Sequence, residues 1–320
     1  MRAKQRMDAG IAVARSLVAQ GKLTEAAVVL DTLVQDPETS TLPAQTALAL
    51  PRRLHSALLH LAKAKGDAVA RAGYQFHLVP RPEVLAPLFQ FSTAEQLAIA
   101  TANHAPVPRV IHQIWIGSLP VPTTVAAWRR HAAMQGYEHR LWQEPDLKRL
   151  GLENQPVYSA MLARQDYPGA VDVARYAILA AEGGIYLDCD WYPARDDIGF
   201  HHLLPLTGLT AWAETVPRHT GLGGLLLANS FIATPPNHPA LHRLNARLPA
   251  VLDLMPEAPA WWSTGPLVFT LAARGGSVSL APHSLVAGSL PDGAAITEVE
   301  ALQARILAND GGLLIAWKAW

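Results

Sequence analysis

The chain has 320 residues, 50 % of them hydrophobic and only 16 % charged, which supplies a sizeable core and enough length for two domains, and excludes a disordered chain. Lysine plus arginine equals aspartate plus glutamate at 26 each, so no global basic field attracts nucleic acid or acidic lipid, and any partner must be recognised locally. The single cysteine, Cys189, excludes an intrachain disulfide and a zinc-thiolate cluster and fits a reducing compartment. The first twenty residues carry basic groups but no sustained apolar core, and Arg15 interrupts the one candidate. No run approaches the ~18 uncharged apolar residues of a membrane span. The expectation is a cytoplasmic protein, at most peripheral to the inner face of the membrane.

Apolar residues at helical spacing (Ile11, Ala14, Leu17 and Val18, then Ala26, Ala27, Leu30 and Leu33) flank a break at Gly21, which predicts a helical hairpin. Leu54, Leu58 and Leu61, a break at Gly66-Asp67, then Val69, Ala72 and Phe76 predict a second. The first hairpin is similar to a tetratricopeptide (TPR) unit, but two imperfect units fall short of the three a free-standing array usually needs. Residues 1–104 are therefore expected to form an all-α, TPR-like cap that either buries its own apolar faces or binds a protein partner. Ser92 and Glu95 have capping-box spacing, predicting a last helix over 93–102. The proline pair at 106 and 108 marks an extended connector, and the boundary is placed there.

From Arg109 strands and helices alternate. RVIHQIWIG is strand-like, Pro122 opens a helix that Gly136 ends, and YEHRLW is a second strand. A strand, helix and strand of this length predict a parallel pair, with ligands bound at the carboxyl ends, around Trp115 to Leu119. The stretch 168–191, PGAVDVARYAILAAEGGIYLDCDW, predicts a helix, a two-glycine stop and a buried strand delivering Asp188 and Asp190. Residues two apart on a strand share a face, so these carboxylates, with Tyr186, can converge on one cation. Asp172 and Arg175, three apart, project from one helix face. Further strands are expected in LTAWAE, GGLLLANSFIAT and SVSLAP, and helices after Pro239 and after the loop WWSTGP.

Two carboxylates suit Mg²⁺ or Mn²⁺, with water and substrate phosphates completing the shell, which points to a diphosphate-bearing substrate. No GxxxxGK[ST], no GxGxxG after a strand and no HExxH is present, so triphosphatase, dinucleotide oxidoreductase and zinc-peptidase chemistries lack their parts. Gly221-Leu222-Gly223-Gly224 reads as a flexible loop near the site, His112 as a core histidine, and His201-His202 as a solvated loop.

Five separated segments, IHQIWIG (111–117), YEHRLW (137–142), AVDVARYAILAAEGGIYLDCD (170–190), Asn229 in a strand, and STGP (263–266), resemble in order the DXD-motif sugar transferases. That family includes initiating alpha-1,6-mannosyltransferases, capsular and lipopolysaccharide transferases and, more distantly, the glucosylating clostridial toxins. The resemblance spans roughly residues 107–282. It implies an α/β GT-A domain over 105–320, a nucleotide-sugar donor, a divalent cation, usually Mn²⁺, and retention of configuration. It also implies Trp115, with Ile114 beside it, at the nucleobase, Asp172 and Arg175 at the donor sugar, Asp188 and Asp190 at the metal, Tyr186 lining the donor site, and Asn229 and Thr264 to Pro266 near donor or acceptor. Relatives close with a histidine- and tryptophan-containing segment. Here the end reads IAWKAW, with alanine at 316, so Trp317 or Trp320 is expected at the diphosphate, and His283 is the substitute considered for the missing ligand. The implied function is hexose transfer from a UDP- or GDP-sugar to a glycan or lipid-linked acceptor in surface polysaccharide synthesis. Its alternatives are a toxin-like protein glycosyltransferase and a non-catalytic binding protein.

Overall fold

The computed structural model describes residues 2–43, 45–256 and 258–320. Contacts divide the chain into two compact units, one holding the residues up to Pro87 together with Glu214–Leu226, the other Leu88–Ala213 and Leu227–Trp320. The first unit contains the two expected hairpins, α1 (Arg2–Ala19) with α2 (Leu23–Gln35) and α3 (Arg52–Ala64) with α4 (Ala68–His77). Its core is the set of helical-period residues Met7, Ile11, Ala14, Ala26, Leu30, Leu54, Leu58 and Leu61.

The contact boundary lies at Pro87/Leu88 and not at 104/105. Helix α5 (Thr93–Ala102) has the expected capping box but packs in the second unit, where Ile99 is buried. At its end the Asn103 side chain accepts from the Leu209 amide at 2.9 Å and donates to the Ser277 carbonyl, tying the helix to its own unit. The glycine-rich 221–224 segment clusters with the helical unit instead, with the His219 amide donating to the Phe76 carbonyl at 2.8 Å.

The second unit is mixed α/β. Its strands are β1 (Val110–Ile114), β2 (Glu138–Trp142), β3 (Gly184–Leu187), β4 (Trp191–Pro193), β5 (Thr210–Ala213), β6 (Leu227–Thr234), β7 (Ser279–Leu280), β8 (Val286–Ser289) and β9 (Leu314–Ala316). A six-stranded sheet has the order β2-β1-β3-β6-β5-β7, and β4-β9-β8 form a smaller one. The β1/β2, β1/β3 and β5/β7 pairs are parallel, whereas β6 runs antiparallel to both neighbours. The expected crossover is present: α6 (Thr123–Gln135), capped by Gly136, links β1 to the parallel β2.

The main helices that follow are α7 (Pro156–Ala163), α8 (Tyr167–Glu182), α9 (Pro239–Leu254), α10 (Pro266–Gly275) and α11 (Ile296–Ala308). Helix α8 starts two residues before Gly169: Asp166 caps it by accepting from the Gly169 amide at 3.0 Å, and Pro168 fits the first turn. The helix stops because Gly183 and Gly184 both take positive φ, +66° and +101°. A side chain would also find no room, since a Cβ on Gly183 would lie 2.5 Å from the Pro236 nitrogen and one on Gly184 2.8 Å from the Val110 oxygen. All four residues of β3 are buried, as a central strand covered on both faces requires.

Candidate active site

Three elements converge on a cavity of about 380 Å³ at the carboxyl ends of β1 and β3. The loop after β1 supplies Trp115 to Leu119, the first turns of α8 supply Tyr167, Val171 and Arg175, and the end of β3 supplies Tyr186, Asp188 and Asp190. Ile114, Pro168, Cys189 and Trp320 complete the wall. Strand β3 ends at Leu187, so Asp188 follows the strand and Asp190 sits in the turn that leads into β4. Both nevertheless face the cavity.

That turn is pinned through its carbonyl groups by separate parts of the fold. The Asp188 oxygen accepts from the Trp191 amide at 3.3 Å and from Gln113 Nε2 of β1 at 3.5 Å. The Cys189 oxygen accepts from Thr124 Oγ1 of α6 at 2.5 Å, and the Asp190 oxygen from the Trp317 amide, just past β9, at 2.7 Å. Cys189 is buried with its thiol directed at the Ile114 carbonyl, and burial raises its pKa, so it is a packed thiol. His112 is the core histidine expected: its ring meets the Gly183 carbonyl at 2.9 Å and accepts from Trp142 Nε1 at 3.1 Å. Burial first, then nearby charge, pushes its pKa down to about 4, so it is neutral at pH 7.

The inner wall is a chain of alternating charge. Arg175 places Nη2 3.0 Å from Asp172 Oδ1 and Nη1 3.0 Å from Asp188 Oδ1, donates to the Asn229 carbonyl at 2.6 Å, and lies over the Tyr186 ring at 4.4 Å. The Tyr186 hydroxyl donates to Asp188 Oδ1 at 2.7 Å. Burial acts to lower the Arg175 pKa, but Asp188, Tyr186 and Asp172 outweigh it and hold the guanidinium charged. Burial lifts Asp172 to about 6 against the pull of Arg175. Asp190 is pushed up to about 7, by burial and then by Asp188. Asp190 beside Asp188, at the end of a cavity, forms an acidic site fit for a cation.

Of the residues singled out from the sequence, Ile114, Trp115, Arg175, Tyr186, Asp188, Asp190 and Trp320 line this one cavity. Asp172 and Asn229 stand behind it, both buried, with Asn229 Nδ2 donating to Asp172 Oδ1 at 2.7 Å and meeting the Tyr176 hydroxyl at 2.8 Å. Trp317 is not brought to the cavity. It is buried against Tyr192 in the small core under β9, with Nε1 donating to the Ala294 carbonyl. Trp320 instead meets Trp115 edge to face at 4.9 Å between ring centres. The 221–224 loop lies in the other unit and His283, on the short turn His283–Leu285, does not line the cavity. Among the described residues, no group of three or more His, Cys, Asp and Glu side chains is placed to hold a metal. His201 and His202 lie on a one-turn helix, where Tyr137 Oη meets His201 Nδ1.

The sequence reading missed Gln113, Thr124 and Tyr167. Gln113 and Thr124 act through carbonyl oxygens of a distant turn, and no spacing rule encodes that. Tyr167 carried a signal, since it directly precedes Pro168 at the start of α8 and so had to sit at that helix's amino end.

Fold and cavity define a mixed α/β unit with an acidic cavity at the carboxyl ends of β1 and β3. Residues 121–202, which run from just before α6 past the two aspartates, match the family described as glycosyltransferase sugar-binding region containing DXD motif. The chain is 29 % identical over 180 residues to inositol phosphoceramide mannosyltransferase 3 of Schizosaccharomyces pombe, covering 54 % of this chain and 46 % of that protein. It is 29 % identical over 138 residues to the uncharacterized glycosyltransferase L373 of Acanthamoeba polyphaga mimivirus, covering 42 % and 52 % respectively. The chain thus spans about half the length of the curated relatives it matches. A solved structure, the PaToxG glycosyltransferase, aligns over 56 % of this chain and 72 % of its own, with a TM-score of 0.42 and 20 % identity. Among the described residues, no helix is long and apolar enough to cross a membrane.

Proposed function

We propose that the chain is a metal-dependent, retaining glycosyltransferase that moves a hexose from a UDP- or GDP-sugar to a glycan or lipid-linked acceptor in surface polysaccharide synthesis. The α/β unit is read as a GT-A domain and the helical unit as a TPR-like cap able to bind a protein partner, with the enzyme working in the cytoplasm. The observation that carries this reading is the convergence of Asp188, Asp190 and Arg175 with Trp115 on one cavity. The relatives named inositol phosphoceramide mannosyltransferases support mannose as the sugar and a lipid-linked acceptor.

The side chains present fit a small, hard divalent cation, Mn²⁺ or Mg²⁺. Two carboxylates face the cavity, the one thiol in its lining, Cys189, is protonated and directed at the Ile114 carbonyl, and such ions keep water and phosphate oxygens in their shell. Asp190 and the second oxygen of Asp188 would hold it. When bound, the cation supplies Lewis-acid neutralisation of the diphosphate as the sugar departs. The remaining work falls to the chain. Trp115 offers its face to the nucleobase, a stacking contact that orients the donor. Arg175, already held over the Tyr186 ring, presents a fixed positive charge where negative charge develops, and such preorganised charge needs no rearrangement during the step. Tyr186 stays protonated, its pKa raised well above the usual value by burial, so it steadies Asp188 as a donor.

A panel of UDP- and GDP-sugars in Mn²⁺, followed by nucleotide release, tests the reading. Release from at least one donor, lost in Asp190→Asn, is the expected result. No binding and no turnover of any donor would favour a non-catalytic protein.

A further inference from the structure

The segment Ser263 to Pro266 lines no part of the cavity, yet it converges on Asp172, which stands behind it. Thr264 Oγ1 is 3.1 Å from Asp172 Oδ2, and 3.2 Å from the Ala260 carbonyl oxygen. The hydroxyl carries a single proton, and the charged acceptor is the stronger of the two. At Gly265 the chain passes so near that a Cβ would lie 3.0 Å from Asp172 Oδ2 and 3.1 Å from the Ala260 oxygen. The Gly265 carbonyl accepts from the Tyr176 hydroxyl at 3.4 Å. Both Ser263 and Thr264 are fully buried.

On its other oxygen Asp172 takes Asn229 Nδ2 at 2.7 Å and Arg175 Nη2 at 3.0 Å. Both carboxylate oxygens are therefore committed to protein groups, while the guanidinium that Asp172 holds does face the cavity. Asp172 and Asp188 share that one guanidinium at equal distances. The χ2 torsion of an aspartate is soft, so the plane of the carboxylate is set by what binds Oδ2. That plane fixes the tilt of the planar Arg175 fork.

We propose that Thr264 and Gly265 form the seat of Asp172, and that Thr264 is a positioning residue for sugar transfer, acting through Asp172 to fix the Arg175 guanidinium on the cavity wall. The proposal rests on the transferase reading of the cavity. It assigns the STGP segment a role in holding charge rather than in touching donor or acceptor.

The test compares Thr264→Val, Thr264→Ser and Gly265→Ala with the parent, measuring kcat and KM for donor hydrolysis and, by calorimetry, the binding of UDP and GDP with Mn²⁺. Removing the hydroxyl should lower kcat about 10- to 100-fold, the scale of a misplaced catalytic group, with nucleotide affinity within about threefold of the parent. Thr264→Ser should recover most of the loss. Gly265→Ala, which keeps the hydroxyl but pushes on Oδ2, should reproduce the kcat loss, and it stands in for Thr264→Val if that variant does not fold. Combined with Asp172→Asn, Thr264→Val should cost no more than Asp172→Asn alone. An unchanged kcat in folded Thr264→Val or Gly265→Ala, a loss confined to KM, no recovery in Thr264→Ser, or additive losses in the double variant would overturn the seat. A parent inactive on every donor overturns the transferase reading, and the seat's catalytic role with it; an active parent with indifferent variants overturns the seat alone.

Discussion

The two ends of the cavity are built on opposite plans. At the inner end Arg175 and Tyr186 are almost completely buried, and their polar atoms are tied to Asp172, Asp188 and Asn229 on secondary-structure elements or directly after them. At the mouth, Leu119, Tyr167 and Trp320 are 58 %, 45 % and 40 % exposed, and none of them lies inside a strand or the body of a helix. The inner end has taken its desolvation cost during folding, so its charges are in place before a ligand arrives. The mouth keeps apolar area open to water and gains by covering it. Rate should therefore depend on the inner end, and ligand affinity on the mouth.

That contrast is broken most severely at Asp190. Asp190→Asn should reduce transfer by about 10²-fold or more, because a ligand of the cation is lost where charge develops. Its thermal midpoint should stay at or above the parent's, since Asp190 is a carboxyl that burial already disfavours. A variant with parental rates would remove Asp190 from the site. Arg175→Ala attacks the same wall through stability. It leaves Asp172 buried, and the half-buried Asp188, without their shared cation, and urea unfolding should show a loss of about 3–5 kcal/mol. An unchanged midpoint would mean that the charge chain is not formed in solution.

A smaller effect sharpens the comparison through pH. Below pH 7 the Asp190 carboxyl, pushed up to about 7 by burial and by Asp188, holds a proton that a cation must displace. Mn²⁺ affinity should therefore rise by up to tenfold per pH unit up to about 7 and level off above it, with about one proton released per ion. Affinity flat from pH 5.5 to 8 would show that Asp190 is already ionised. Smallest is the mouth. Trp115→Ala or Trp320→Ala should raise donor KM about 2- to 10-fold at nearly constant kcat, as expected for an aromatic contact worth about 0.5–1.5 kcal/mol. Equal losses in kcat would place the tryptophans in the inner machinery.

Much of the frame was legible from local pattern. The β1–α6–β2 crossover, the stop at Gly183-Gly184 and the delivery of Asp188 and Asp190 to the end of a buried strand all follow from periodicity, helix caps and glycine chemistry. Trp115 at the carboxyl end of β1 follows from the rule for parallel sheets. The contact division at Pro87/Leu88 differs from the boundary expected at 104/105 for a physical reason. Prolines mark where the chain is extended, but Ile99 and Asn103 decide with which unit α5 packs, and Asn103's partners Leu209 and Ser277 are more than a hundred residues away.

The sequence by itself determined the β1–α6–β2 crossover, the stop of α8 and the delivery of the two aspartates after a buried strand, because each depends on residues within a few positions of one another. Tertiary structure decided which way the remaining candidates turn. It set Asp172 inward onto Thr264 and Asn229, buried Trp317 while leaving Trp320 against Trp115, and drew the 221–224 loop into the helical unit. Those outcomes rest on contacts between residues far apart in the chain. Helical and strand periods report which side chains share a face, and only packing across the fold settles what that face meets.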